Sequence, residues 1–420
     1  MAATVFDYEK AIADSEIIQS ARRRALDILK PTDAQLQHGL ELHRDALVCD
    51  CFSFLPQVWS ETSVAQVNEL RDAEVGAREF SLRSGFIRGA AATHDETAAR
   101  EYLTALKASG LTCILQNVGE GKTREEDIKR MALFRGATSF FTNDLLWGGW
   151  PDQVETAKTE GRCCIFGSVN GPPMPGAMVD PDEEFGWLDT WHQLGVRMMH
   201  LTYNRRNFVG DGCMEDANAG LSVFGKELIG ELNRAGIIVD VSHSGKQTSL
   251  EAAQVSEKPM VASHSGCCGV HEHPRHKTDE TLKAIAEGDG LLGVFAVGGS
   301  LAPNGSIASM LDHIDYAVKL IGADHVGIGT DVAYSGAPPS PVRGYSDARW
   351  NGVWWGAWKP GILGNGGDEA SRGSLMWTNW PLYTVGLVTR GHSDDDIRKI
   401  IGGNMLRVLQ ANVPEDLVRV

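Results

Sequence analysis

The sequence has no apolar run approaching the roughly 18–20 residues that a membrane-crossing helix requires. It has no Cys-x-x-Cys pair, no internal repeat and no low-complexity linker. It also has no basic excess: 39 Lys and Arg stand against 55 Asp and Glu, a formal net charge of −16. Nothing in that balance would neutralise phosphates, so nucleic acid and anionic membrane surfaces are excluded as general partners. Asp7, Glu9, Lys10, Asp14 and Glu16 precede any apolar run, which is unlike a secretory leader. The expectation is a soluble, cytoplasmic protein.

At 420 residues, with 42% hydrophobic and 22% charged residues, the chain can bury a core that needs no covalent staples. Its eight cysteines include several in apolar runs such as 111–118, where a thiol acts as a small hydrophobe. They are expected to be mostly reduced.

Short runs rich in Val, Ile and Leu alternate with amphipathic stretches. The strands expected are Ala46–Asp50, Leu111–Val118, Cys163–Val169, Val196–Tyr203, Gly236–His243, Pro259–His264, Leu291–Val297 and His325–Asp331. Their lack of polar alternation suits parallel strands covered on both faces, and the β-then-α order suits right-handed crossovers. Eight such units predict a (β/α)8 TIM-type barrel, with an open doubly wound sheet as the alternative. Residues 1–43 are expected to form a helical extension, and 44–420 the barrel. Ala333–Pro381, which holds six of the eleven tryptophans, is expected to be a lid or a subunit interface.

Active sites of such barrels sit at the C-terminal strand ends. The residues there are Asp50, Asn117, Asn170, Tyr203, His243, His264 and Asp331. His243 and His264 close successive strands and could converge on one metal ion, with Asp331 as a further ligand or a base. Arg275 could grip a substrate carboxylate, or could be a solvated loop residue. His271, His273 and His276 crowd the same loop with irregular spacing. The vicinal Cys267 and Cys268 read as packing residues more readily than as nucleophiles.

Five stretches carry a family resemblance. They are Leu194-Gly-Val-Arg-Met-Met-His-Leu-Thr202, Gly220-Leu-Ser-Val-Phe-Gly225, Glu231-Leu-Asn-Arg-Ala-Gly-Ile-Ile-Val-Asp-Val-Ser-His243, Pro259-Met-Val-Ala-Ser-His-Ser265 and Val326-Gly-Ile-Gly-Thr-Asp331. Together with Gly402-Gly-Asn-Met-Leu-Arg-Val-Leu409 they resemble the renal (membrane) dipeptidase family, from about Arg44 to Leu409. The resemblance implies a barrel hydrolase of dipeptides that uses two zinc ions and often dimerises, hence a homo-oligomer here. It places His243 and His264 on zinc-ligand positions, Asp331 on a ligand and proton-transfer position, and Arg275 on the substrate-carboxylate position.

The departures are as informative. Where the family has the ligands His-x-Asp, this chain has Phe52 and Phe54. Asn170 replaces a metal-bridging Glu, and Tyr203 a substrate-binding His. Phe cannot ligate and neutral Asn bridges poorly, so a two-zinc site is not expected. One zinc or other divalent ion on His243 and His264, completed by Asn170, Asp331 or water, is one expectation, and a metal-free pocket is the other. The function expected is C–N bond hydrolysis of a small, carboxylate-bearing, peptide-like substrate. Asp331 would shuttle the proton, Tyr203 or Asn170 would donate to the oxyanion, and Arg275, Tyr203, Trp354 and Trp355 would bind the substrate. A metal-free isomerase, lyase or decarboxylase and a non-catalytic binding paralogue are the alternatives.

Overall fold

The computed structural model describes residues 6–172, 180–343, 362 and 368–414. Nine parallel strands form one sheet: β1 (Cys49–Ser53), β2 (Cys113–Gly119), β3 (Leu145–Trp147), β4 (Cys163–Val169), β5 (Val196–His200), β6 (Ile238–Asp240), β7 (Val261–Ser265), β8 (Leu291–Val294) and β9 (Val326–Ile328). Eight run in the order β1-β2-β4-β5-β6-β7-β8-β9, and β3 pairs with β4 beside that path. The chain just past β9 returns to β1: Thr330 N donates to Asp50 Oδ1 at 2.9 Å and Asp331 N to the Phe52 carbonyl at 3.0 Å. This return makes a TIM-type barrel rather than an open doubly wound sheet.

Each expected strand is present, several of them shorter. The fourth expected strand, observed as β5, ends at His200 rather than Tyr203, and the next, β6, covers only Ile238–Asp240. The addition is β3, which takes the first half of the β4 edge (Leu145 opposite Cys163) before β5 takes the second half (Gly167 opposite Val196).

Alternation along the strands divides the core into two layers. Cys49, Cys51, Cys113, Leu115, Cys164, Phe166, Met198, Ile238, Val261 and Leu291 pack in one cluster inside the barrel. Their neighbours Ile114, Ile165, Met199, Val239, Ala262 and Leu292 pack outward under the helices. Four of the eight cysteines therefore fill the barrel interior, and all eight are free thiols. The interior is narrow. A Cβ on Gly293 or Gly329 would lie 1.9 Å from the Ser263 carbonyl oxygen, so only glycine fits at those positions.

The helices Glu16–Leu29 and Asp33–Asp45 pack against the helix Trp380–Thr389 and its approach, and Tyr8–Asp14 packs against Glu16–Leu29 and Glu96–Ser109. Asn379 Nδ2 donates to the Ala21 carbonyl at 3.0 Å, and His43 Nδ1 lies 2.8 Å from Thr384 Oγ1. Trp377 and Trp380 are fully buried in this layer, so the end of the tryptophan-rich segment is core and not lid. Trp350, Trp354, Trp355 and Trp358 lie outside the described residues. Between β1 and β2 three helices are inserted, Glu61–Asp72, Ala77–His94 and Glu96–Ser109, and the second rises beside the barrel mouth.

Candidate active site

His243 and His264 meet at the C-terminal end of the barrel, with their Nε2 atoms 3.0 Å apart. The surrounding hydrogen bonds determine where the protons lie. Asn204 Oδ1 is 2.8 Å from His243 Nδ1 and can only accept, so His243 carries its proton on Nδ1 and leaves Nε2 bare. Ser263 Oγ makes its shortest contact with Asp240 Oδ2, and the hydroxyl proton goes there. His264 Nδ1, 2.8 Å from the same Oγ, must then be the donor, which leaves His264 Nε2 bare as well. Burial, reinforced by the Arg275 charge, holds both imidazoles well below the usual histidine range. Two unprotonated lone pairs thus converge where neither ring readily takes a proton. That donor set fits a cation, and 3.0 Å is close to the spacing, on the order of 3.3 Å, of two imidazole nitrogens on one tetrahedral zinc ion.

A third imidazole completes the group. His200, at the end of β5, is fully buried, and neither ring nitrogen has a hydrogen-bond partner. Its Nε2 is 2.7 Å from Asp240 Oδ2, within ion-pair distance but misaligned for a hydrogen bond. Among the described residues, the group of metal-capable side chains whose donor atoms all lie within 4.8 Å of one another is His200, Asp240 and His264. Neither Asp331 nor His243 enters that group. Asp240 is held far below the usual carboxylate range: burial opposes ionisation, but His200 and His264 and the Ser263 hydroxyl outweigh it.

The other sequence candidates fall in distinct places. Tyr203 stacks on His243 (ring centroids 4.2 Å, 25°), and burial raises its phenol above the usual tyrosine range. Asp331 adopts a left-handed backbone (φ 54°), as does Asn204 (φ 62°), conformations unusual outside glycine and concentrated at functional sites. Burial pushes the Asp331 carboxyl up to about 6, against the opposing pull of Arg275 and His200. Arg275 is not a solvated loop residue: it is buried, and its Nη2 and Nε donate to the His264 and Ser242 carbonyls at 3.0 and 3.3 Å. Asn170 Nδ2 donates to Glu120 Oε2 at 3.0 Å, while its Oδ1 is buried without a partner.

Two strand-end candidates have structural roles. Asp50 has the parity opposite to Cys49 and Cys51, so its side chain faces the outer layer and accepts from Trp380 Nε1 and Thr330 Oγ1. Asn117 Oδ1 accepts from Gly119 N at 3.0 Å and shapes the turn after β2. In the histidine loop, His273 Nε2 reaches the Ile362 carbonyl, His276 Nδ1 reaches the His271 carbonyl, and no metal group forms there among the described residues. Cys267 is buried with its thiol raised by desolvation, a packing residue.

Beside the histidines opens a cavity of about 510 Å³. Phe54, Asn170 and Tyr203 line its inner end, and the inserted helix Ala77–His94 together with the helix Arg124–Phe140 form its walls. Glu120 stands at this junction, bonded to Arg130 (2.6 Å) and Asn170. Asp127 accepts from Glu120 N and Gly121 N and holds that turn, its own carboxyl pushed by burial up to about 7.

A closed parallel barrel with buried, converging histidines at the C-terminal strand ends defines a TIM-type barrel with a metal-capable site at its mouth. The membrane dipeptidase model, peptidase family M19, matches residues 40–350, and the chain belongs to that family. Dipeptidase aclJ of Aspergillus oryzae is 31% identical over 233 residues, 53% of this chain and 46% of the relative. Dipeptidase verJ of Clonostachys rogersoniana is 29% identical over 229 residues, 54% of this chain and 51% of the relative. The chain spans about half the length of the curated relatives it matches. Among solved structures, an amidohydrolase from Pseudomonas aeruginosa superimposes with a TM-score of 0.65 at 25% identity, covering 89% of this chain and 98% of that one. The probable dipeptidase PvdM of the same organism shares the fold, with a TM-score of 0.63 at 21% identity over 90% of this chain and 98% of that one.

Proposed function

We propose that this chain hydrolyses a C–N bond in small, carboxylate-bearing, dipeptide-like molecules, with one divalent metal ion. The observation that supports this most is the convergence of the His243 and His264 Nε2 lone pairs at 3.0 Å, each ring oriented by a fixed acceptor on its other nitrogen. These two residues, with His200 and Asp240 beside them, would hold the ion, and a nitrogen-rich set with one carboxylate suits zinc. When bound, the ion would polarise the substrate carbonyl.

The chain's own groups supply the rest. Arg275, buried among the strand ends, is the cation for the substrate carboxylate. Asp331, with its carboxyl near 6, exchanges a proton at neutral pH and serves as the proton carrier. Tyr203, kept protonated, donates to the oxyanion, and the Asn170 amide lies on the same side. Phe52 and Phe54 provide no donor atom for a second ion. Trp354 and Trp355 are proposed to cover the substrate.

The test is elemental analysis of the purified protein beside a dipeptide-hydrolysis assay, for the native chain and a His243→Ala/His264→Ala variant. About one zinc per chain, lost with activity in the variant, is expected from one two-histidine site. Turnover that persists after the metal is stripped would replace this reading with metal-free proton-transfer chemistry.

A further inference from the structure

The cavity beside the histidines is larger than a dipeptide of small residues needs. Its 510 Å³ falls in the range, about 300–1,000 Å³, that encloses drug-sized ligands. Much of its wall is apolar, with Leu55, Leu82, Phe86, Leu133 and Phe134 among the lining residues. Gly85 and Gly89 lie one turn apart on the inserted helix and both line the space. A Cβ at Gly85 would meet nothing within 4 Å, so the helix leaves room there that an ordinary side chain would fill.

The charged side chains at the mouth are largely paired, Arg130 with Glu120, Arg206 with Asp211 and Arg205 with Glu215. Lys122, Arg130, Arg205 and Arg206 line the cavity, against Glu120, Glu126 and Asp127. Of these acids, Asp127 accepts two backbone amides, and Glu120 is engaged by Arg130 and Asn170. The inner end of the cavity is formed by Phe54, Tyr203 and Asn170. A free α-ammonium group placed against the leucine and phenylalanine walls would give up hydration there. An uncharged hydrocarbon group would instead bury apolar surface.

We propose, resting on the hydrolase reading above, that the substrate is an amino acid whose nitrogen carries a large uncharged apolar group. That group is an acyl or aryl chain seated in this cavity, with the carboxylate turned to Arg275. The cavity adjoins the reacting groups through its wall: Tyr203 stacks on His243, and Phe54 packs edge-on against Phe52, which stacks on His264.

The experiment is calorimetric binding of N-octanoyl-alanine and N-acetyl-alanine to the native protein and to a Gly85→Leu variant. Leucine favours the helix more than glycine does, so the variant folds. The octanoyl compound is expected to bind at least about tenfold more tightly than the acetyl compound, since each buried methylene adds affinity. Gly85→Leu is expected to abolish that preference while leaving acetyl binding within about twofold, because the extra methylenes lose only the apolar space the leucine fills. Equal affinities in the native protein, a preference that survives Gly85→Leu, or no binding of either compound would overturn the proposal. Tight octanoyl binding without turnover would instead sink the hydrolase reading and leave the apolar subsite standing.

Discussion

The phenyl ring of Phe52 lies flat on the imidazole of His264, with centroids 4.0 Å apart and planes 19° from parallel. His264 is thereby fixed by this ring on one face and by Ser263 on Nδ1. Phe52 is also within 5.2 Å of the His200 ring and is 1% exposed. Its replacement by alanine opens a void between two imidazoles that cannot easily collapse. Phe52→Ala should therefore cost about 3–5 kcal/mol, the range for buried aromatic truncation, measured by denaturant unfolding. A loss below about 1 kcal/mol would mean that the strand end closes over the gap.

Asn204 acts on the metal-capable pair without belonging to it. Its Oδ1 fixes the His243 tautomer and also accepts from Cys213 Sγ at 3.1 Å. Its left-handed backbone would strain most replacements, so glycine is the clean substitution: it keeps the backbone and deletes the acceptor. Asn204→Gly is expected to weaken zinc binding about 10–100-fold, the usual effect of losing an orienting partner. Asn204→Asp, which retains an acceptor, should stay within severalfold of native. Chelator competition reads both, and an unchanged Asn204→Gly affinity would remove Asn204 from the site.

The barrel was legible because its main strands are runs of Val, Ile and Leu separated by amphipathic segments, and His243 and His264 were legible because each closes such a run. Leu145–Trp147 was not, because three residues beside a longer strand carry no periodicity of their own. His200 was missed for a related reason: extending the fourth expected strand, the observed β5, to Tyr203 moved its polar end three residues too far. The parity it shares with inward-facing Met198 was the available signal. Asp50 failed as a site residue on the same rule, since an aspartate between two inward cysteines must face out. Glu120 lies one residue past β2, where only the turn held by Asp127 brings it back toward Asn170. The cavity depends on an inserted helix whose position over the mouth no local pattern encodes.

Asp50 and Trp380 give a prediction whose sign follows from linkage. The Asp50 carboxyl is fully buried and, despite donors from Thr330, Trp380 and Phe52, desolvation pushes it up to about 7 from an ordinary 3.8. The folded state thus holds this proton more tightly than the unfolded chain does. The group costs nothing below the unfolded value, costs progressively more as pH rises through the interval, and reaches its full penalty above 7. The indole N–H of Trp380, 3.0 Å from Oδ2, stabilises the ionised form in particular. Trp380→Phe keeps most of the buried ring but removes that donor, leaving a charged oxygen short of a partner. The loss should therefore be about 1–3 kcal/mol near pH 8.5, where Asp50 is ionised, and clearly smaller near pH 5.5, where it is protonated. Urea unfolding of the native chain and the variant at the two pH values measures the difference. A loss independent of pH would show that the tryptophan matters only for packing.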